Sequence, residues 1–341
     1  MIELTVREKY ILKLIVEDFV ASALPVSSRN LCKKHKLSIS SATVRNVMMD
    51  LEEKGFITQP HISAGRIPTD LGYRIYVDWL MSVGQLNQNE RRAVLQNLRQ
   101  VSKNVEQILQ KASQILGEIS NLLGIVLLPH FYEGIFEKLE LVPITDNRTL
   151  LVIKIRSGLI KTIMLELDFE ISRDILEATA SVLNERLHGL LLAEIKQSIG
   201  QRLQSISGGH PSLIRYFQTA ADDLFDFEDW EGFFSGGTRN ILQQPEFLER
   251  SRLDNLMEFL ENKHSMIQFL ENIQDRKQTR ISIGAENPDH KLEACSVVAS
   301  NYQIGTVRGI ISIIGPKRMD YGRMVSIVNY VSRTISNLAE N

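Results

Sequence analysis

Cysteine is nearly absent from this chain: 341 residues contain only Cys32 and Cys295. Two thiols so far apart exclude a disulfide framework and fit a reducing cytoplasm. No run approaches the roughly 20 apolar residues of a membrane span, and no N-terminal signal pattern appears. Glycine-rich phosphate loops are missing too, since Gly208-Gly209 and Gly236-Gly237 lack the following Lys-Ser/Thr. The histidines show no HxxxH or Cys-x-x-Cys spacing, and His290 five residues before Cys295 is a poor ligand pair. Nothing assembles a catalytic constellation, so the reading is of a non-enzymatic protein without cofactor or metal. At 43% hydrophobic and 23% charged, the composition is that of a globular chain with a length suited to two or three domains.

What is present begins with charge placement. The net charge is −2, yet residues 27–66 carry seven Lys/Arg against three acids, a local balance of +4. A basic segment on a slightly acidic chain is the footprint of a small DNA-binding module. Thr5-Val6-Arg7-Glu8 is a capping box opening a helix to about Val20, and Ser27 or Ser28 caps a second helix through Lys36. A short turn leads to a third helix, capped by Ser40 or Ser41 and ended by Gly55. Val44, Val47, Met48 and Leu51 fall on one face of it, which predicts the core side. Ala42, Arg45, Asn46 and Met49 then point away from that face. Arg pairs guanine, Asn pairs adenine and Ala touches a thymine methyl in the DNA major groove. Helix, short turn, capped helix is the helix-turn-helix order. Phe56–His61 reads as a strand, Ser63-Ala64-Gly65-Arg66 as a tight tip, and Pro68 or Thr69 as the start of a helix bearing Tyr73, Tyr76, Val77 and Leu80. The expected DNA contacts are Ser41, Ala42, Thr43, Arg45, Asn46 and Met49 from the helix, and His61, Ser63, Gly65 and Arg66 from the wing.

Beyond a polar linker, Val94 to Leu122 repeats apolar residues four and three apart, predicting one long helix. Its seam packs on its own domain or pairs with a second copy. Gly124–Pro129, Leu139–Ile144, Thr149–Ile155 and Leu159–Leu167 read as antiparallel strands. Helices follow at Ser172–Leu187, Leu191–Leu203 and Pro211–Phe225, then an acidic-aromatic stretch, Asp222–Glu231. Pro245 marks another helical start. Sheet returns at Thr279–Gly284 and Cys295–Ile314, and an amphipathic helix, Asp320–Ala339, ends the chain. The fold class is α+β and multidomain, with an N-terminal winged helix-turn-helix.

Residues 25–31, 40–57 and above all His61–Asp78 (HISAGRIPTDLGYRIYVD) resemble the heat-inducible transcription repressor HrcA family, and Gly237–Phe247 is similar to it as well. The resemblance implies a homodimer on double-stranded DNA, bound to an inverted-repeat operator upstream of chaperone operons. It also implies a GAF-like region with an inserted dimerisation domain, and a repressor kept folded and active by the GroE chaperonin. The division it suggests is 1–82 for the winged helix, 83–89 for a linker, 90–167 and 238–341 for the GAF-like parts, and 168–237 for the insertion. A GAF-type small-molecule-responsive regulator is the alternative.

Overall fold

The computed structural model describes residues 4–62, 64–101, 104–129, 133–145, 147–167, 169, 171–204, 208–225, 232–273 and 279–339. Three helices open the chain: α1 (Val6–Ser22), α2 (Ser28–His35) and α3 (Ser41–Glu53). Each starts on a hydroxyl that satisfies an orphan backbone N–H. Thr5 accepts from Glu8 N and Glu8 returns the bond, while Ser27 caps α2 and Ser40 caps α3. Gly55, at φ +79°, then turns the chain, a conformation that glycine adopts without a Cβ penalty. The strand expected over Phe56–His61 is only two residues long. Here β1 (Ile57–Thr58) pairs antiparallel with β2 (Ile67–Pro68). Thr69 caps α4 (Asp70–Ile75), which runs on as a π-helical turn, Tyr76–Leu80. Ile11, Ile15, Leu31, Val44, Leu51, Phe56 and Tyr73 form the core of this head.

The long helix expected from Val94 to Leu122 is two helices, α5 (Gln88–Gln100) and α6 (Val105–Ser120). Val101 is extended, at φ −77° and ψ 130°, and the Asn104 side chain accepts from Glu106 N and Gln107 N. A fresh N-cap inside a continuous apolar seam breaks the helix because the asparagine satisfies backbone donors that α5 would otherwise supply acceptors for. Both halves bury the seam within the chain, with Val94, Leu98, Ala112, Ile115 and Leu116 nearly inaccessible. Asn87 caps α5, so the linker is shorter than 83–89.

The body is built on a five-stranded antiparallel sheet of order β7-β3-β10-β9-β8. Its strands are β3 (Leu123–Leu127), β7 (Phe233–Gly236), β8 (Arg280–Ile283), β9 (Cys295–Ile304) and β10 (Val307–Pro316). Helix α6 and the last helix, α14 (Tyr321–Ala339), pack on one face. Helix α11 (Thr238–Leu242), Phe247, α12 (Arg250–Glu261) and α13 (Lys263–Ile273) fill the other, around Leu123, Ile125, Phe259 and Phe269. Pro245 stands at the first turn of the helical region it was expected to open, a 3-10 turn, Pro245–Leu248, that leads into α12.

Between β3 and β7 the chain leaves this sheet. It forms a separate meander of β4 (Phe136–Thr145), β5 (Arg148–Ile155) and β6 (Ile160–Glu166). Helices α7 (Arg173–Leu187), α8 (Leu192–Arg202), α9 (Pro211–Thr219) and α10 (Ala221–Leu224) accompany it. The Asn184 carboxamide ties α7 to β4, accepting from Leu139 N at 2.7 Å and donating to Leu139 O at 2.9 Å. A division at 167/168 therefore cuts one hydrogen-bonded unit, and 233–236, expected in the insertion, pairs with β3. Strand periodicity reports that a segment is extended and which face is buried; it does not report which sheet the strand joins. Of Asp222–Glu231, residues 226–231 lie outside the described residues.

The head is docked on the body. Asp70 accepts from Lys317 Nζ at 2.6 Å and from Ala285 N at 3.0 Å, and Arg74 is held by Glu286. Gly284 sits at φ +54°, and a Cβ there would fall 2.1 Å from the Asp70 carboxylate, so glycine lets the two units meet.

Candidate nucleic-acid interface

The face of α3 is settled by packing. Val44, Val47, Met48 and Leu51 are 0 to 7% exposed and seat the helix against α1 and α2. Burying four such side chains contributes about 1.5–3 kcal/mol each. The opposite face presents Ser41, Ala42, Arg45, Asn46 and Met49 to solvent. Thr43 is half-buried, its hydroxyl 2.9 Å from the Ser40 hydroxyl and its N–H donating to that oxygen, so it serves the cap. The expected reading residues thus share one exposed surface, with Thr43 at its edge.

The charge around that surface differs from the sequence count. Asp18 on α1 accepts from Lys34 Nζ at 2.6 Å and lies 3.0 Å from His35 Nε2. Lys54 is paired with Glu8 at 2.5 Å and Arg66 with Glu52 at 2.8 Å. Among the described residues, Arg29, Lys33, Lys36 and Arg45 remain without a carboxylate partner. Glu8 and Asp18 stand outside the 27–66 window, so a window count misses them. Their partners are 46 and 16 residues away, and no local pattern marks them.

The wing is anchored where a free tip was expected. Arg66 N donates to Val26 O at 2.8 Å and Val26 N donates to Arg66 O at 2.9 Å, so this residue bridges back to the turn before α2. Its guanidinium lies along Glu52, with Nε donating at 2.9 Å. A Cβ on Gly65 would sit 2.4 Å from Val26 O, so that glycine serves a close backbone approach. Gly65 and Arg66 therefore stand at the root of the wing. The outer end belongs to His61 and Ile62, both exposed, and the Gln59 amide donates to Ile62 O and Ala64 O across the turn. Ser63 lies outside the described residues. Gln59 carried no signal in the sequence, because an organising amide in a short loop has no spacing of its own.

No group of three His, Cys, Asp or Glu able to hold a metal occurs among the described residues. His290 is 86% exposed, whereas Cys295 is fully buried and burial pushes its thiol pKa up to about 12, which separates that pair. Among the described residues, no helix is long and apolar enough to cross a membrane.

An exposed Arg–Asn helix face on a basic head, carried by a larger α/β body, defines a transcription regulator. The model described as the HrcA protein C terminal domain matches residues 106–325. A Chlorobaculum tepidum protein named heat-inducible transcription repressor HrcA is 41% identical over 346 residues, covering 98% of this chain and 97% of that protein. A Chlorobaculum parvum protein of the same name is 42% identical, with the same coverage. The chain belongs to the HrcA family. A solved structure described as a hypothetical protein at 2.2 Å superimposes with a TM-score of 0.63 at 22% identity, covering 99% of both chains, which shows a common fold.

Proposed function

We propose that this chain is a sequence-specific, DNA-binding repressor of heat-shock chaperone operons, acting in the cytoplasm, with residues 4–80 working as a winged helix-turn-helix. The observation that carries it is the exposed face of α3, where Ala42, Arg45 and Asn46 stand clear of the core. Arg45 and Asn46 read base edges, Ser41 and Thr43 stand nearer the backbone, Met49 flanks them, and His61 and Ser63 act from the wing. Gly65 and Arg66 set the wing against α2 and α3. The body serves as a GAF-like domain, and 136–225 as its inserted dimerisation unit.

Two half-sites need two reading helices at fixed spacing, so the repressor acts as a homodimer. The outer face of the β4–β6 meander supports this role for the insertion. Val142, Leu150 and Met164 are aligned across three strands, and Val142, Met164 and neighbouring Ile160 are 38 to 49% exposed. Such an apolar row outside the core suits a self-complementary contact. Family membership supports dependence on the GroE chaperonin for the active state. A salt-titrated shift assay with an inverted-repeat probe tests the reading. Binding of the repeat no tighter than random duplex, or a monomer by sedimentation at DNA-binding concentrations, overturns it. Regulation by a small molecule is the second reading, and a cavity beside Arg74 favours it.

A further inference from the structure

Head and body are joined at several points along α4 and the connection that follows it. Asp70, at the start of α4, accepts from Lys317 Nζ and from Ala285 N, and one turn on Arg74 donates to Glu286 and to Ile281 O. Between these bonds the Tyr73 ring meets the Tyr321 ring of α14, 5.9 Å between centroids, and both side chains are buried. Residues 81–87, which connect Leu80 to Gln88, are held as well. Gly84 O lies 2.6 Å from the Ser326 hydroxyl, Leu86 is buried, and a Cβ on Gly322 would fall 2.5 Å from Ser82 O. Released from α14, this connection would reach up to about 24 Å and leave the head free to turn.

Docking does not cover the reading face, since Ser41, Ala42, Arg45, Asn46 and Met49 stay exposed with the head in place. The junction is therefore no shield against DNA; what it fixes is where the head points. A dimer sets two heads on one duplex. Each base pair added between half-sites turns one of them about 34° around the axis and moves it about 3.4 Å along it. Heads on free tethers follow such changes at little cost, because affinity through a flexible linker falls slowly with the span. Heads clamped to their bodies cannot follow. We infer, building on the reading of this chain as a dimeric DNA-binding repressor, that the junction of Asp70, Arg74, Glu286 and Lys317 makes the protein select operators by half-site spacing as well as by sequence. All four are positioning residues, standing on α4 and the body and not on the exposed face of α3.

The test is a spacer series bound by the full chain. The wild type first selects an inverted repeat from a random duplex pool, and its spacer is then shortened and lengthened by one and two base pairs. The wild type should lose about tenfold or more on each altered spacer, the cost of misplacing one reading helix. The E286Q/K317M variant removes the two body-side charges, both part-exposed, and leaves the head unchanged. It should bind an isolated half-site as the wild type does, while its discrimination between spacers falls to about twofold. K317R keeps the charge and should keep the wild-type spacer profile. Equal spacer profiles in wild type and E286Q/K317M overturn the inference, as does wild-type binding indifferent to spacing. A parallel loss on the half-site and on every spacer overturns it too, since the junction would then serve only the stability of the head. A wild type that binds the repeat no tighter than the isolated half-site removes the dimeric reading itself, and the inference with it, so the two failures are told apart.

Discussion

Arg74 and Glu286, 212 residues apart in the chain, are joined by a two-pronged ion pair. Arg74 Nε donates to Glu286 Oε1 at 2.8 Å, Nη2 donates to the other carboxylate oxygen and to Ile281 O, and Nη1 reaches Asp78 at 3.0 Å. Most of the donor fork of one arginine is therefore spent on fixing the last helix of the head to the edge of the body. Helix α4 also packs on α1 and β2, and α1 packs on α3, so the junction reaches the reading helix through the core of the head.

Removing Glu286 should loosen that junction without unfolding either unit. The two side chains are 26% and 37% exposed, so solvent screens the pair. A double-mutant cycle of Arg74→Ala and Glu286→Ala, read by urea unfolding, should give a coupling of about 1 kcal/mol, the upper end for partly exposed pairs with good geometry. Amide exchange in α4 should rise in both single variants. A coupling near zero would show that the contact holds nothing.

Arg66 makes the sharpest contrast between the two accounts of the wing. If it only braces the wing against α3, Arg66→Gln and Glu52→Gln should weaken operator binding to the same degree. Neither should alter the slope of log K against log salt. A phosphate contact would instead flatten the slope by about one unit in Arg66→Gln and leave Glu52→Gln neutral or tighter. Salt-titrated binding of the two variants separates these outcomes.

The exposed face of α3 was legible in the sequence because helix periodicity and burial are the same information: four apolar residues at helical spacing fix which side turns inward. The cap at Thr5 was legible for a similar reason, and those of α2 and α3 were narrowed to Ser27 or Ser28 and Ser40 or Ser41, because each is a local hydrogen bond between residues three apart. What failed was non-local. The break at Val101–Asn104 interrupts a seam whose apolar positions stay buried on both sides of it, from Val94 and Leu98 to Val105 and Ile108, so burial periodicity could not reveal it. The strands 136–166 have the alternation of any half-buried sheet, and only pairing shows that they form their own. The neutralisation of Lys34 and Lys54 depends on Asp18 and Glu8, brought in by folding from outside residues 27–66, so the local charge balance overstated the free positive charge.

Base readers and backbone contacts should separate cleanly on this head. Asn46→Ala should cost about 1–3 kcal/mol on the operator and little on random duplex, since an amide that pairs one base edge carries discrimination. Lys33→Ala, an exposed lysine on α2 with no acid partner among the described residues, should weaken both duplexes alike and reduce the salt slope by about one. Equal losses on operator and random DNA for Asn46→Ala would sink its assignment as a base reader.

Gly72, within the stretch that resembles the family most closely, has a packing role that a stability measurement can expose. A Cβ there would lie 2.0 Å from the Phe56 carbonyl oxygen, and the obstacle is backbone that cannot swing aside. The same carbonyl accepts from Thr69 N at 3.1 Å, so α4 and the root of the wing are locked together at this point. Gly72→Ala should cost about 1–3 kcal/mol, as overpacking does, despite its gain in helix propensity. Near-neutral stability would mean that α4 can slide away without losing its bond to the wing.

Glu8 gives a pH dependence whose sign follows from its surroundings. It is 5% exposed, and that burial alone would raise its pKa. The hydrogen bond from Lys54, those from the backbone and hydroxyl of Thr5, and the Lys54 charge together outweigh it and hold the carboxyl below its ordinary value of 4.5. A folded-state pKa below the unfolded one means that the charged form stabilises the fold. That contribution is complete above the unfolded value and is lost as pH falls through the folded one. Glu8→Gln keeps the cap's shape and removes the charge. The melting temperature of the wild type should therefore exceed that of the variant by a constant margin near neutrality, and the margin should close as pH is lowered below about 4.5, the ordinary carboxyl value. Thermal melts of both proteins from pH 7 to about pH 3 measure it, with the Lys54→Met variant showing the same narrowing against wild type because it removes the partner of the same charge. A margin that does not change with pH would mean that Glu8 ionises equally in the folded and unfolded chain, and the α1–α3 ion pair would then contribute nothing to holding the reading helix in place.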